Sequence, residues 1–167
     1  MEFEQWTAFF DVDGVLSDGS FIYTKKGKAA KVFGTGDSDA LKVLKGLMNV
    51  RLVTADHKGS PIAVRRAKDM KIPLLVLSPR KRADYFASLR SSSKIFYMGD
   101  SFLDQFVFRS AHISACPADG DPAAKAAATF VTGARAGRRA VSEAVFRLLE
   151  ELGASTELIL QEYFEAT

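Results

Sequence analysis

Two carboxylates one residue apart close an apolar run at Phe9-Phe10-Asp11-Val12-Asp13-Gly14. A buried strand ending there delivers both to the carboxyl edge of a sheet, where open α/β sheets bind ligands. Asp11 is then placed as a nucleophile or metal ligand, and Asp13 as a general acid/base. Taken alone, the pair is equally a strand end with a solvated acidic turn. A second acidic pair, Asp100 and Asp104, follows another apolar run, Ile95 to Met98. Gly99 permits a sharp exit from that strand, and a four-residue spacing sets the two carboxylates one helical turn apart. With Asp11 they make an oxygen-rich, histidine-free set, which suits Mg²⁺ rather than zinc.

These residues need a scaffold of alternating strands and helices. Short apolar runs at Trp6 to Val12, Val50 to Thr54, Leu74 to Leu77, Ile95 to Met98, Ile113 to Ala115 and Phe130-Val131 read as strands. Helical patterns lie between them at Ser38 to Leu47, Pro61 to Met70, Lys81 to Leu89, Phe102 to Ser110 and Arg139 to Leu152. Ser60-Pro61 reads as a helix start, with a capping hydroxyl and proline in the first turn. The alternation predicts an α/β fold with a doubly wound, Rossmann-like, mainly parallel sheet. One insertion breaks the rhythm: Phe21 to Thr24 and Ala29 to Phe33 flank Lys25-Lys26-Gly27-Lys28, a β-hairpin with glycine in its turn. A last helix at about 155–165 is capped by Ser155, with an apolar side of Leu158, Ile159, Tyr163 and Phe164.

From Asp11 to Gly19 the chain reads DVDGVLSDG, and this resembles the first signature of the haloacid dehalogenase superfamily, DxDG[TV]. It is most similar to the small, nearly capless phosphatases that include 3-deoxy-D-manno-octulosonate 8-phosphate phosphatase, whose opening is DVDGVLTDG. The similarity continues through Gly27, Lys31-Val32-Phe33, Asp37, Thr54, a lysine near 81, Gly99 to Asp104 and Gly137 to Glu143, roughly residues 8 to 150. It implies a Mg²⁺-dependent phosphatase acting on a sugar phosphate, with the hairpin at about 20–34 as a minimal cap. It further implies that hairpins of neighbouring subunits pack together in a homotetramer. Asp11 would take the phosphoryl group as an aspartyl-phosphate, while Asp13 protonates the leaving oxygen and then activates water. Asp11 and Asp100 would bind the metal through side chains and Asp13 through its carbonyl, with Asp104 and Ser101 behind them. Ser101 stands where the family often has a second aspartate.

Thr54 matches the phosphate-gripping hydroxyl, and Lys81 the lysine that neutralises the phosphoryl group, with Arg80 and Arg82 as close competitors. Lys81 is preferred because Tyr85 and Leu89 preserve the family's helix register. Where the family has TGR, this chain has Thr54-Ala55-Asp56. Losing that arginine removes a contact with an acidic substrate, and Asp56 inverts the local charge. The chain is therefore expected not to use the octulosonate phosphate itself, preferring a substrate that lacks a carboxylate there or carries an amine or hydroxyl. His57 beside it is either a substrate contact or an exposed loop residue. Asp37 is either a substrate contact or a helix N-cap, and Arg138 and Arg139 either approach a neighbouring active site or begin a solvated helix.

At 167 residues the chain is expected to form one domain, 1–167, too short for an additional large cap. A net charge of +3 with dispersed Lys and Arg, and no nucleic-acid-binding motif, favours a mouth for a phosphorylated anion over a nucleic-acid surface. No stretch approaches the ~20 apolar residues of a membrane helix. The single cysteine, Cys116, fits a reducing compartment, and a cytoplasmic location with no membrane partner is expected. A phosphatase of broad small-molecule specificity and a catalytically idle binding or assembly domain are the alternatives, since fold alone does not exclude the latter.

Overall fold

The computed structural model describes residues 3–166. After a short turn at Phe3–Gln5 the elements run β1 (Trp6–Asp11), β2 (Ser17–Thr24), β3 (Gly27–Phe33), α1 (Gly36–Lys45), β4 (Asn49–Thr54), α2 (Ser60–Met70), β5 (Leu74–Val76) and α3 (Pro79–Leu89). There follow β6 (Lys94–Met98), α4 (Gln105–Phe108), β7 (Ile113–Cys116), α5 (Pro122–Ala127), β8 (Phe130–Val131), α6 (Ala140–Glu151) and α7 (Thr156–Glu165). Six strands form one parallel sheet in the order β5-β4-β1-β6-β7-β8, and β2 and β3 pair antiparallel as a separate hairpin. This is the α/β architecture with a mainly parallel sheet that the alternation predicts, the hairpin standing apart from it.

Strand β1 is central, paired to β4 on one side and β6 on the other. Its side chains alternate between two cores, as expected of a strand covered on both faces. Ala8 and Phe10 pack with Leu41, Leu44, Leu52, Met98 and the apolar side of α6. Phe9 points the other way, to Phe86 of α3, with Val53, Tyr97 and Phe108. The chain winds outward from β1 through β4 to β5, then returns across β1 to β6. The order therefore reverses between β1 and β6, and a ligand crevice opens beyond their carboxyl ends.

Three elements differ from the sequence reading. The helix expected from Phe102 to Ser110 contracts to Gln105–Phe108, because the Asp104 carboxylate accepts from the amides of Asp100 and Ser101 and holds 100–104 as a turn. Asp100 and Asp104 thus meet across a loop rather than along a helix. Helix α5 was not expected, though Asp121 caps it at the amide of Ala123 and Pro122 occupies its first turn. Gly59, not Ser60, precedes α2, and the Ser60 hydroxyl donates to the His57 carbonyl instead of capping.

Candidate active site

Beyond β1 the backbone makes a tight turn over Val12–Leu16, with Gly14 at φ 78°. That left-handed conformation favours glycine, and a Cβ at Gly14 would overlap the Asp100 carboxylate. The close approach of the two strand-end loops therefore depends on this glycine. Carboxylate oxygens of Asp11, Asp100 and Asp104 all lie within 4.8 Å of one another. They border a cavity of about 360 Å³ with Asp13, Gly19, Phe21, Asp56 and Leu103.

Three carboxylates this close need compensating charge. Part comes from Arg82, whose Nη1 donates to Asp11 Oδ2 at 2.5 Å, to Tyr97 Oη at 2.7 Å and to Asp104 Oδ1 at 3.1 Å. Tyr97 in turn donates to Asp104 Oδ1 at 2.8 Å. With both Asp104 oxygens thus engaged, this residue ties Arg82 to the 100–104 loop. The other Asp11 oxygen accepts from the Val12 amide at 2.7 Å.

The compensation is incomplete. Burial, with the charges of Asp11 and Asp104, pushes the Asp100 carboxyl up to about 8, and burial raises Asp11 against the pull of Arg82. Such a set of hard oxygen donors, short of positive charge, fits a divalent cation such as Mg²⁺. Asp11 and Asp100 both border the cavity, with carboxylate oxygens close enough together to meet one such ion.

On the other side of the cavity, both oxygens of Asp13 are held. Thr54 Oγ1 donates to Oδ2 at 3.1 Å, and Lys31 Nζ lies 2.7 Å from Oδ1. Lys31 comes from the hairpin strand β3, its side chain fully buried, and also contacts Asp56 Oδ2 at 3.0 Å. Asp56 pairs with Lys28 at 2.7 Å and accepts from the Gly59 amide, while its own amide donates to Thr54 Oγ1. Burial would raise the Asp56 carboxyl, but hydrogen bonds from Lys28, Gly59 and Lys31, with the Lys31 charge, bring it down to about 2.

The expected site residues fall into two groups. Asp11, Asp13, Thr54, Asp56, Asp100, Ser101 and Asp104 gather around the cavity or its wall. Thr54 points to Asp13, and Ser101 Oγ accepts from the Leu103 amide. Lys81 does not join them. It is exposed at the start of α3, and the cation brought to Asp11 is its neighbour Arg82. The buried line of α3 runs through Arg82 and Phe86, whereas Tyr85 and Leu89, which had favoured Lys81, are only partly buried. Asp56 also departs from expectation: its charge is met by Lys28 and Lys31 of the hairpin, so it does not present a free negative charge.

Asp37, Arg138, Arg139 and His57 do not line the cavity. Asp37 is buried in the first turn of α1 and accepts from the amides of Arg139 and Ser142, so it caps α6 rather than its own helix. Burial raises its carboxyl, opposed by those amide bonds. Arg138, Arg139 and His57 are exposed. Reasoning from sequence held Arg82 only as a competitor of Lys81, gave Lys31 no role of its own, and missed Tyr97. Lys31 carried a signal: it faces inward while its neighbour Val32 is 43 % exposed, the reverse of an ordinary amphipathic strand.

No protein-family model matches the chain. It is 28% identical over 151 residues to the 3-deoxy-D-manno-octulosonate 8-phosphate phosphatase of Haemophilus influenzae, covering 87% of this chain and 83% of that protein. Among solved structures, the cobalt-bound form of the Haemophilus influenzae phosphatase superimposes with a TM-score of 0.78 at 26% identity, covering 91% of each chain. The Moraxella catarrhalis 3-deoxy-D-manno-octulosonate 8-phosphate phosphatase, in complex with magnesium, phosphate and KDO, gives 0.76 at 25% identity, covering 89% of this chain and 87% of that one.

Proposed function

We propose that this chain is a haloacid dehalogenase-type phosphatase using Mg²⁺, and that it hydrolyses a sugar phosphate, such as the phosphate of an octulosonate, a nonulosonate or a relative, through an aspartyl-phosphate. The observation that carries this reading is the convergence of Asp11, Asp100, Asp104 and Arg82 at the reversal point of the sheet. Asp11 and Asp100 would hold Mg²⁺ by their carboxylates and Asp13 by its backbone carbonyl. The bound cation would offset charge on the phosphoryl oxygens.

The remaining work falls to side chains of this chain. A carboxylate oxygen of Asp11 attacks phosphorus, the bond to the sugar oxygen breaks, and its electron pair leaves with that oxygen. Asp13 supplies the proton that makes it a hydroxyl. Water then attacks phosphorus, Asp13 takes the water's proton, and the bond to Asp11 breaks to release phosphate. Arg82 holds Asp11 in place and adds positive charge beside the phosphoryl group, the role expected of Lys81. Thr54 orients Asp13 through the bond from its Oγ1 to Asp13 Oδ2.

The hairpin lines one side of the cavity through Gly19 and Phe21, and its Ile22, Tyr23 and Val32 leave apolar surface exposed. That surface supports assembly through the hairpins, which we read as a homotetramer. Among the described residues no helix is long and apolar enough to cross a membrane. The test is a panel of sugar and sugar-acid phosphates assayed with Mg²⁺ and with chelator. Metal-dependent turnover concentrated on sugar-acid phosphates is expected, and equal rates on every ester would contradict the substrate class. Asp56→Arg should change the ranking across the panel, because it breaks the Lys28 and Lys31 pairs while restoring a cation at the wall.

A further inference from the structure

Lys31 is an unusual residue to bury. It stands on a two-stranded hairpin, faces inward and has no solvent-exposed side-chain surface. An ammonium taken fully from water is costly unless carboxylates meet it closely. Two do: Asp13 Oδ1 at 2.7 Å and Asp56 Oδ2 at 3.0 Å. Around them a closed circuit forms, in which the Asp56 amide donates to Thr54 Oγ1 at 3.0 Å and Thr54 Oγ1 donates to Asp13 Oδ2 at 3.1 Å. Both oxygens of Asp13 are thereby fixed from opposite sides, one by the body of the protein and one by the hairpin. Asp56 balances the second contact, and Lys28, lying 3.7 Å over the Phe21 ring, balances Asp56.

We propose that Lys31 is the positioning residue for Asp13 in leaving-group protonation, and that Asp56 serves the reaction by fixing Lys31. The contacts drawn, Lys31 against Oδ1 and Thr54 donating to Oδ2, are those of the ionised carboxylate, the form Asp13 takes once its proton has passed to the departing oxygen and the form that then accepts the proton of the attacking water. Fixed charge of this kind, aimed at where charge develops, lowers the barrier without reorganisation. The hairpin thus contributes a charged group to the chemistry as well as covering the site. This inference rests on the proposed role of Asp13 and adds to it a dependence on the hairpin.

The discriminating measurement is leaving-group dependence. An alkyl phosphate such as a sugar phosphate needs its leaving oxygen protonated, whereas p-nitrophenolate departs without help. The quantity read is kcat/KM, which reports the first irreversible step, on both substrates with saturating Mg²⁺. Lys31→Met should lower kcat/KM for the sugar phosphate about tenfold more than for p-nitrophenyl phosphate, a fraction of the usual general-acid contribution. A residue needed only for folding would depress both equally. Should the single variant fold poorly, Lys31→Met combined with Asp56→Asn removes cation and counter-charge together, and the same change in ratio is expected. A ratio within about twofold of wild type in a folded variant overturns the inference about Lys31 while leaving the phosphatase reading intact. Wild-type protein inactive on both esters with Mg²⁺ overturns the functional reading itself.

Discussion

Replacing Arg82 by methionine keeps most of the aliphatic volume and deletes one buried cation. Its guanidinium meets Asp11 and Asp104 within 3.1 Å and accompanies the buried Tyr97 hydroxyl, with 6% of the side chain exposed. Removing one partner of a buried ion pair costs about 3–5 kcal/mol, because the remaining charge is left uncompensated. In a domain of this size each kcal/mol moves Tm by about 2–4 °C, so metal-free Arg82→Met should melt about 6–20 °C below wild type. Because the variant carries one positive charge fewer beside its carboxylates, Mg²⁺ should raise its Tm by more than it raises that of wild type. The assay is calorimetry or thermal circular dichroism with chelator and with excess Mg²⁺, alongside Lys81→Met. The exposed Lys81 should change stability by no more than about 0.5 kcal/mol. Phosphatase activity should fall at least about a hundredfold in Arg82→Met and stay near wild type in Lys81→Met. A loss below about 3 °C for Arg82→Met, or equal effects of the two substitutions, would refute the assignment of the site cation to position 82.

Gly14→Ala should abolish Mg²⁺ binding measured by titration calorimetry, since its Cβ would overlap Asp100 and its φ of 78° disfavours a side chain; ordinary metal affinity in the variant would contradict the packing of the two loops. Asp37→Ala should lower stability by about 1–2 kcal/mol through the lost cap on α6 while kcat and KM stay unchanged, and a selective rise in KM would restore a substrate role for Asp37. Asp56 is held at about 2 against an ordinary value of 3.8, so its pairing stabilises the fold above pH ~3.8 and that contribution disappears as pH falls toward 2. The shift corresponds to about 2 kcal/mol, discounted for partial exposure, and the Tm gap between wild type and Asp56→Asn should narrow from pH 6 to pH 3. A gap that is constant or widens over that range would contradict the ion-pair account.

The sheet was legible because its strands are covered on both faces and read as continuous apolar runs. The acids were legible because they end those runs. What escaped notice depends on tertiary direction rather than residue type. Arg80, Lys81 and Arg82 present three cations at a helix start, and only the packing of Phe86 against Phe9 and Tyr97 determines which points inward. The four-residue step from Arg82 to the apolar Phe86 was a readable clue. Asp56 seemed to invert the charge of the site because its partners lie about 25 residues earlier, on a hairpin whose docking sequence spacing does not reveal. The place of Asp37, left open between a substrate contact and a helix N-cap, was hidden for the same reason: its hydrogen bonds reach more than 100 residues along the chain to α6.

The central claim, that Asp11 accepts the phosphoryl group, is tested most directly by a single-turnover reaction with Mg²⁺, quenched in acid, digested and mapped by mass spectrometry. A phosphoryl label on the peptide containing Asp11, absent when Asp11 is replaced by asparagine, is the predicted result. Turnover in which no phosphoryl group ever resides on Asp11, or in which Asp11→Asn works as well as wild type, would contradict it.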